Sequence, residues 1–235
     1  FDVSEVVKLE KPHVRALLAR PRLRDYFPGH DLYLWLDADM WLQERFPVDW
    51  FFDASRQGAM GLVPSADRSY VYHPSHIRWR QGNLLGYFGQ EALDLYALNP
   101  YYNAGAFSLR ADAPHWDAWG QYFVRALSVD PNRTSDQAIL NFMLWKESLP
   151  VHPLPSLCNW LCQYAIPHIS RQDGKLREPH IPHRLIGLLH LAAKSKSFIL
   201  NVEDGDRKIQ INLHYGGRAA LLDRQMTGDH GTSGN

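Results

Sequence analysis

The segment Leu34-Trp-Leu-Asp-Ala-Asp39 constrains this chain more than any other. An apolar run from Tyr33 to Leu36 stops at two carboxylates one residue apart, Asp37 and Asp39, and a second apolar patch, Met40-Trp-Leu42, follows at once. Such a run does not belong in water, so it predicts a buried strand over residues 31–37. The acids then stand where the strand leaves its sheet, the edge at which open α/β folds hold their ligands. Adjacent carboxylates repel each other unless a cation lies between them. Hard divalent cations such as Mn²⁺ or Mg²⁺ prefer carboxylate oxygen and can hold substrate phosphates as well.

The chain has 235 residues, enough to bury a full core, and is expected to form one domain over residues 1–225. Lys plus Arg equals Asp plus Glu at 25 each, so no basic field is present to hold a nucleic-acid backbone. No apolar stretch reaches the length of a bilayer span. Cys158 and Cys162 are the only cysteines, which argues against a disulfide scaffold and fits a reducing, cytoplasmic compartment. Their spacing predicts two inert thiols on one helical face, with no His/Cys set beside them to complete a zinc site. The chain begins at Phe1 without a signal sequence, and the expectation is that the natural start lies upstream.

The remaining pattern alternates and contains no internal repeat. Residues 12–19 read as helix, stopped by Pro21. A short amphipathic turn or helix is expected at 49–55 and a second strand at 58–64. Residues 65–100 read as a long irregular region with a helix near 91–96, and a third strand covers 104–109. Pro114 opens a helix whose Trp116, Trp119, Phe123 and Leu127 recur at helical spacing, the stripe by which a helix docks on a sheet. Another helix spans 136–145. Residues 150–155 are extended, 185–191 form a buried strand, and 208–213 alternate like an edge strand. The apolar-free tail, 226–235, is expected to be disordered. Strands alternating with helices predict an α/β fold with long insertions at the active site.

Four further segments carry polar residues in suggestive places. Tyr101-Tyr-Asn-Ala-Gly-Ala-Phe107 sets a small polar turn ahead of a strand, with Gly105 permitting close backbone approach. Thr134 and Gln137 have the spacing of a capping box, and Asp136 in the first turn suits the helix dipole. Residues 154–160 (LPSLCNW) read as a proline-punctuated loop. His190 ends an apolar strand, where it is either a third metal ligand or part of a surface basic loop; Lys194 and Lys196 follow.

In this order the segments YLWLDAD (33–39), YYNAGAF (101–107), SDQAILN (135–141), LPSLCNW (154–160) and HLAAKSKSF (190–198) resemble the motifs of the retaining glycosyltransferases of family 8. That group includes glycogenin, galactinol synthase and the lipopolysaccharide glucosyl- and galactosyltransferases. The resemblance covers about residues 12–200. It implies a GT-A-type fold, a mixed, mostly parallel sheet flanked by helices. It implies that Asp37, Asp39 and His190 hold a divalent cation, Mn²⁺ or Mg²⁺, on the diphosphate of a nucleotide-sugar, with Lys196 touching the diphosphate. Asn103, Ala104 and Gly105 would lie against the donor sugar, Asp136 would bind its hydroxyls, and Gln137 would face the anomeric carbon. The reaction implied is hexose transfer from UDP-glucose or UDP-galactose, with retention, to a saccharide, lipid-linked or protein acceptor. The expected location is cytoplasmic, free or peripheral at the inner face of the membrane.

The sequence departs from the family pattern at Ala193, where the motif has Gly, and at Ser197-Phe198, where it has Pro-Trp. Only 36 residues precede Asp37, so the strand that holds the nucleotide base is expected to be missing and donor binding by this chain to be weak.

Two other classes share features with the chain. Aspartate-nucleophile phosphatases need Thr or Val two residues past the second Asp, where Trp41 stands. A non-catalytic carbohydrate-binding module would use Tyr70, Tyr72, Trp79, Tyr87 and Phe88 as stacking faces, but has no need of the acidic pair. His73, His76, Arg78 and Arg80 give the same insertion a positive character that suits an acidic or phosphorylated acceptor. His214 is a rival third ligand without the lysines that follow His190.

Overall fold

The apolar run that ends in the acidic pair is a strand, β1 (Leu32–Leu36), but it lies at a sheet edge and only Tyr33 on it is buried. The computed structural model describes residues 17–70, 74–130, 135–170, 172–192, 199–204 and 207–212. A 3-10 turn at Arg20–Arg22 runs into α1 (Leu23–Tyr26), followed after β1 by β2 (Met40–Leu42), α2 (Phe46–Arg56) and β3 (Met60–Pro64). Then come α3 (Pro74–Phe88), α4 (Gln90–Leu98), β4 (Tyr102–Arg110), α5 (His115–Val129), α6 (Asp136–Lys146) and β5 (Val151–Pro153). The C-terminal part contributes the short strands β6 (Trp160–Leu161), β7 (His168–Ile169), β8 (Leu176–Arg177) and β9 (Leu188–His190), then β10 (Ile199–Asp204) and β11 (Arg207–Asn212). The chain is therefore mixed α/β. It divides into two compact units, one of residues 1–37, 48–67 and 72–156, the other of 38–47, 68–71 and 157–235.

The first unit carries a four-stranded sheet in the order β1-β4-β3-β5. β4 is antiparallel to both neighbours, and only β3 and β5 are parallel. The mostly parallel sheet expected from the sequence is thus corrected to a mostly antiparallel one in this unit. An antiparallel edge strand tolerates half-exposed side chains, which is why β1 is less buried than its apolar sequence suggests. On one face α5 buries Trp116, Trp119, Phe123 and Leu127 as their helical spacing requires, with Phe107 of β4 packed edge-on to both tryptophans. α6 is buried from Ala138 through Trp145, so it is a core helix rather than a surface one.

Other expectations need correcting. Pro21 does not stop a helix: it occupies the first turn of the 3-10 segment, where its missing N–H costs no hydrogen bond, and residues 17–26 stay helical around it. Residues 65–100 are not a long loop; α3 and α4 fill most of them, joined at Gly89 with φ +74°. Only the C-terminal half of α3 has core residues at helical spacing, Leu84, Tyr87 and Phe88, so its first two turns gave no periodic signal. The cap of α6 is Ser135, whose hydroxyl accepts from Ala138 N at 3.3 Å. Thr134, residues 12–16 and the tail 226–235 lie outside the described residues.

A buried hydroxyl pair ties α2 to the sheet. Ser55 Oγ and Ser108 Oγ are 2.6 Å apart, and Ser108 also donates to Phe51 O. Opposite them, a Cβ on Gly61 would fall 2.4 Å from Ser108 Oγ and 3.1 Å from Ala54 Cβ.

In the second unit β2, β9 and β6 form a three-stranded sheet with β9 in the centre. β7 pairs with β8, and β10 pairs antiparallel with β11 in a two-stranded hairpin, so of the strand expected at 208–213 the part through Asn212 is present. Trp160, Ile186, Leu189 and Leu191 are core here. Cys158 closes a 3-10 turn (Ser156–Cys158) and Cys162 follows β6, so the two thiols do not share a helical face. Glu178 is fully buried. Arg184 meets it with two hydrogen bonds of 2.8 and 3.0 Å, and Arg68 lies 3.5 Å away. Removal from water pushes the Glu178 carboxyl up, but the two arginines outweigh that and hold it below its ordinary value.

Two tests follow from this packing. Gly61→Ala should lower unfolding stability by about 1–3 kcal/mol, because the new methyl meets a hydroxyl held on two sides; urea denaturation measures it. For Glu178 the folded pKa is depressed, so its stabilisation is present above the ordinary value of 4.5 and lost as pH falls through the lower folded value. The thermal midpoint of Glu178→Gln should therefore lie below that of the parent at neutral pH, and the gap should close on acidification below pH 4.5.

Candidate functional site

In the first unit the polar residues gather around a defect in β4. Leu62 pairs with Phe107 while the next residue, Val63, pairs with Asn103, so residues 104–106 bulge out of the ladder with β3. Asn103, Ala104 and Gly105 are therefore inside a strand, not in the turn ahead of one. The bulge is locked from three directions. Gly105 N donates to Asn103 Oδ1 at 2.9 Å, Ala104 N donates to Gln137 Oε1 at 3.3 Å, and Gly105 O accepts from Asp37 N at 2.9 Å.

The α6 residues have correspondingly specific jobs. Asn141 reads both backbone atoms of Tyr102, donating to its O at 2.9 Å and accepting from its N at 2.7 Å, and so pins the helix to β4. Gln137 spends its carboxamide oxygen on Ala104, not on the helix start as a capping box would require. Burial raises the Tyr101 hydroxyl above its usual pKa; the Gln137 carboxamide lies beside it, and the Arg80 guanidinium sits 4.5 Å above its ring.

Between the two acids of this unit lies a residue the sequence reading missed. Arg20 is buried and pairs with both Asp37 and Asp136. Its guanidinium also sits 5.4 Å from the Trp35 ring, while Trp35 Nε1 donates to Asp37 Oδ1 at 2.8 Å. Asp136 is thus tied to Asp37 through one cation. The signal was present: Arg20 stands three residues after Leu17, on the side of the helical turn where an apolar residue is expected.

The chain crosses to the second unit at Ala38, the single residue between the acids. There Asp39 immediately precedes β2 and His190 ends β9, with Met40 opposite His190 in the register. His190 Nε2 lies 3.4 Å from Asp39 Oδ1, and His190 Nδ1 lies 2.9 Å from Asn159 Oδ1. Leu191 N donates to Asp39 O at 2.9 Å and holds the strand ends in place. Asn159 is the second residue that sequence reasoning passed over. Lys196, His214, Lys194 and the departures at Ala193, Ser197 and Phe198 lie outside the described residues.

Two other sequence expectations are now placed. Tyr70, Tyr87 and Phe88 are buried, so they serve packing and offer no stacking face; Trp79 is 53% exposed, and Tyr72 lies outside the described residues. Of the basic insertion, His76, Arg78 and Arg80 stand on α3 and His73 lies outside the described residues. Both thiols, Cys158 and Cys162, are pushed up to about 12 by burial, which suits structural and not reactive cysteines. No helix among the described residues is long and apolar enough to cross a membrane.

Neither a model of a known protein family nor a curated protein sequence matches the chain.

Arg20→Met should cost about 3 kcal/mol in urea unfolding, since it strips the cation from two largely buried carboxylates. A loss under about 1 kcal/mol, the range of an exposed ion pair, would contradict this placement.

Proposed function

We propose that the chain is a metal-dependent glycosyltransferase that moves a hexose from a nucleotide-sugar to an acceptor hydroxyl with retention of configuration. The observation that carries this reading is the pair Asp39 and His190, with His190 Nε2 3.4 Å from Asp39 Oδ1 in the second unit; Asp37, two residues before Asp39, is proposed as the third ligand by the family resemblance. Two carboxylates and an imidazole suit Mn²⁺ or Mg²⁺ and leave further coordination positions for phosphate oxygens. A divalent cation held there would offset the charge gathering on a departing diphosphate.

The chain's own groups have roles consistent with that chemistry. Arg20 pairs with Asp136 and orients it, which suits a carboxylate that accepts from sugar hydroxyls. Contact of Asn103, Ala104 and Gly105 with the donor sugar is proposed by the family resemblance; Asn103 is half-buried at the bulge, and Ala104 and Gly105 are buried behind it. Gln137, a carboxamide anchored to Ala104 N, is no nucleophile, which favours attack by the acceptor from the side on which the leaving group departs. Lys196 is proposed as a diphosphate contact and UDP-glucose or UDP-galactose as the donor, both by the family resemblance. Burial of Tyr70, Tyr87 and Phe88 takes away most of the aromatic surface a non-catalytic sugar-binding module would use.

The test is Mn²⁺-dependent hydrolysis of a nucleotide-sugar panel by the parent and by Asp39→Ala, with circular dichroism to confirm folding. Turnover by the parent that falls at least 100-fold in the variant supports the reading, and undiminished turnover sinks it.

A further inference from the structure

Residues 154–160 are the motif to which the proposed chemistry gives no task. Asn159, in that stretch, stands immediately before β6, as Asp39 stands immediately before β2, and both strands flank β9, which ends at His190. In the parallel register Leu161 pairs with His190, which sets Asn159 two residues down the neighbouring strand and within diagonal reach of the ring, while Leu191 N donates to Asp39 O at 2.9 Å and puts Asp39 at the His190 end of β9. Asn159 is fully buried and His190 is 5% exposed.

The contact between them decides where the ring proton sits. His190 Nδ1 is 2.9 Å from Asn159 Oδ1, and an amide oxygen can only accept, so Nδ1 carries the hydrogen. A neutral ring in that tautomer has its lone pair on Nε2, the nitrogen 3.4 Å from Asp39 Oδ1. Two lone-pair atoms that face each other repel unless a cation or a donated hydrogen lies between them. The reverse arrangement, a hydrogen on Nε2 donated to Asp39, would satisfy both groups and leave the histidine unable to bind metal.

We infer that Asn159 is a positioning residue: it holds His190 in the tautomer whose Nε2 lone pair points at Asp39, and so makes His190 a ligand in place of a hydrogen-bond donor. This rests on the proposed reading of Asp39 and His190 as cation ligands. Groups that hold a ligating histidine in this way are typically worth 10- to 100-fold in metal affinity.

Imidazole ¹⁵N shifts of the metal-free chain, recorded at a pH where the ring is neutral, test the first half without any mutation. Hydrogen on Nδ1 of His190 supports the inference, and hydrogen on Nε2 overturns it. Mn²⁺ affinity from the electron paramagnetic resonance of free Mn²⁺ tests the second. Asn159→Leu should weaken binding about 10- to 100-fold and release the tautomer preference, while Asn159→Asp, which keeps an accepting oxygen, should restore both. Unchanged affinity in Asn159→Leu overturns the positioning role. Failure of the parent to bind Mn²⁺ overturns the cation site itself, a result separable from the tautomer measurement.

Discussion

The first unit is assembled on β4. It pairs on both edges, as β3 also does, with β1 on one side and β3 on the other, and nearly all of its residues are buried. Phe107 takes the packing of α5, Tyr102 takes the amide clamp of Asn141, and Ser108 takes the hydroxyl of Ser55. Because its ladder with β3 slips at residues 103–107, the same strand also frees backbone atoms for other partners. Gly105 O then receives Asp37 N, and Ala104 N reaches Gln137. One strand thus supplies both the core and the polar surface beside it, which is the economy a bulge allows.

A second constraint is charge. Carboxylates out of water need a cation or several donors. Glu178 solves this with Arg184 and Arg68, an arrangement closed on itself. Asp37 and Asp136 solve it with a shared arginine. Asp39, by contrast, faces an imidazole nitrogen. Glu178 is thus a structural acid, whereas the neighbour of Asp39 is itself a metal-binding group.

Much of this was legible in the residues. The four tryptophan, phenylalanine and leucine positions of α5 and the strands at β3, β4 and β9 follow from periodicity, because burial of one face repeats at the period of the element. His190 beside Asp39 was one of two readings of a strand-end histidine, and the one the family resemblance implied. What the sequence hid was non-local or weakly patterned. β1 looked central because nothing local tells an edge strand from an inner one. α3 was missed because His76, Arg78 and Arg80 fill the turns where an apolar stripe would have announced it. Asn159 was silent because it acts on a partner far away in sequence, His190; Arg20 showed only as a charge on an apolar helix face, with nothing local to name its partner Asp136. The bulge at Asn103 read as a turn because small polar residues serve both.

The depth at which the two thiols lie has a bearing on where such a chain could work. With both held at about 12, neither forms appreciable thiolate at neutral pH while the second unit stays folded. Exchange with glutathione or an oxidase starts from thiolate, so the folded protein would pass through an oxidising compartment with its cysteines untouched. Burial of both thiols accounts for their being free without reference to the compartment, and the inference from cysteine count to a reducing cytoplasm loses its footing.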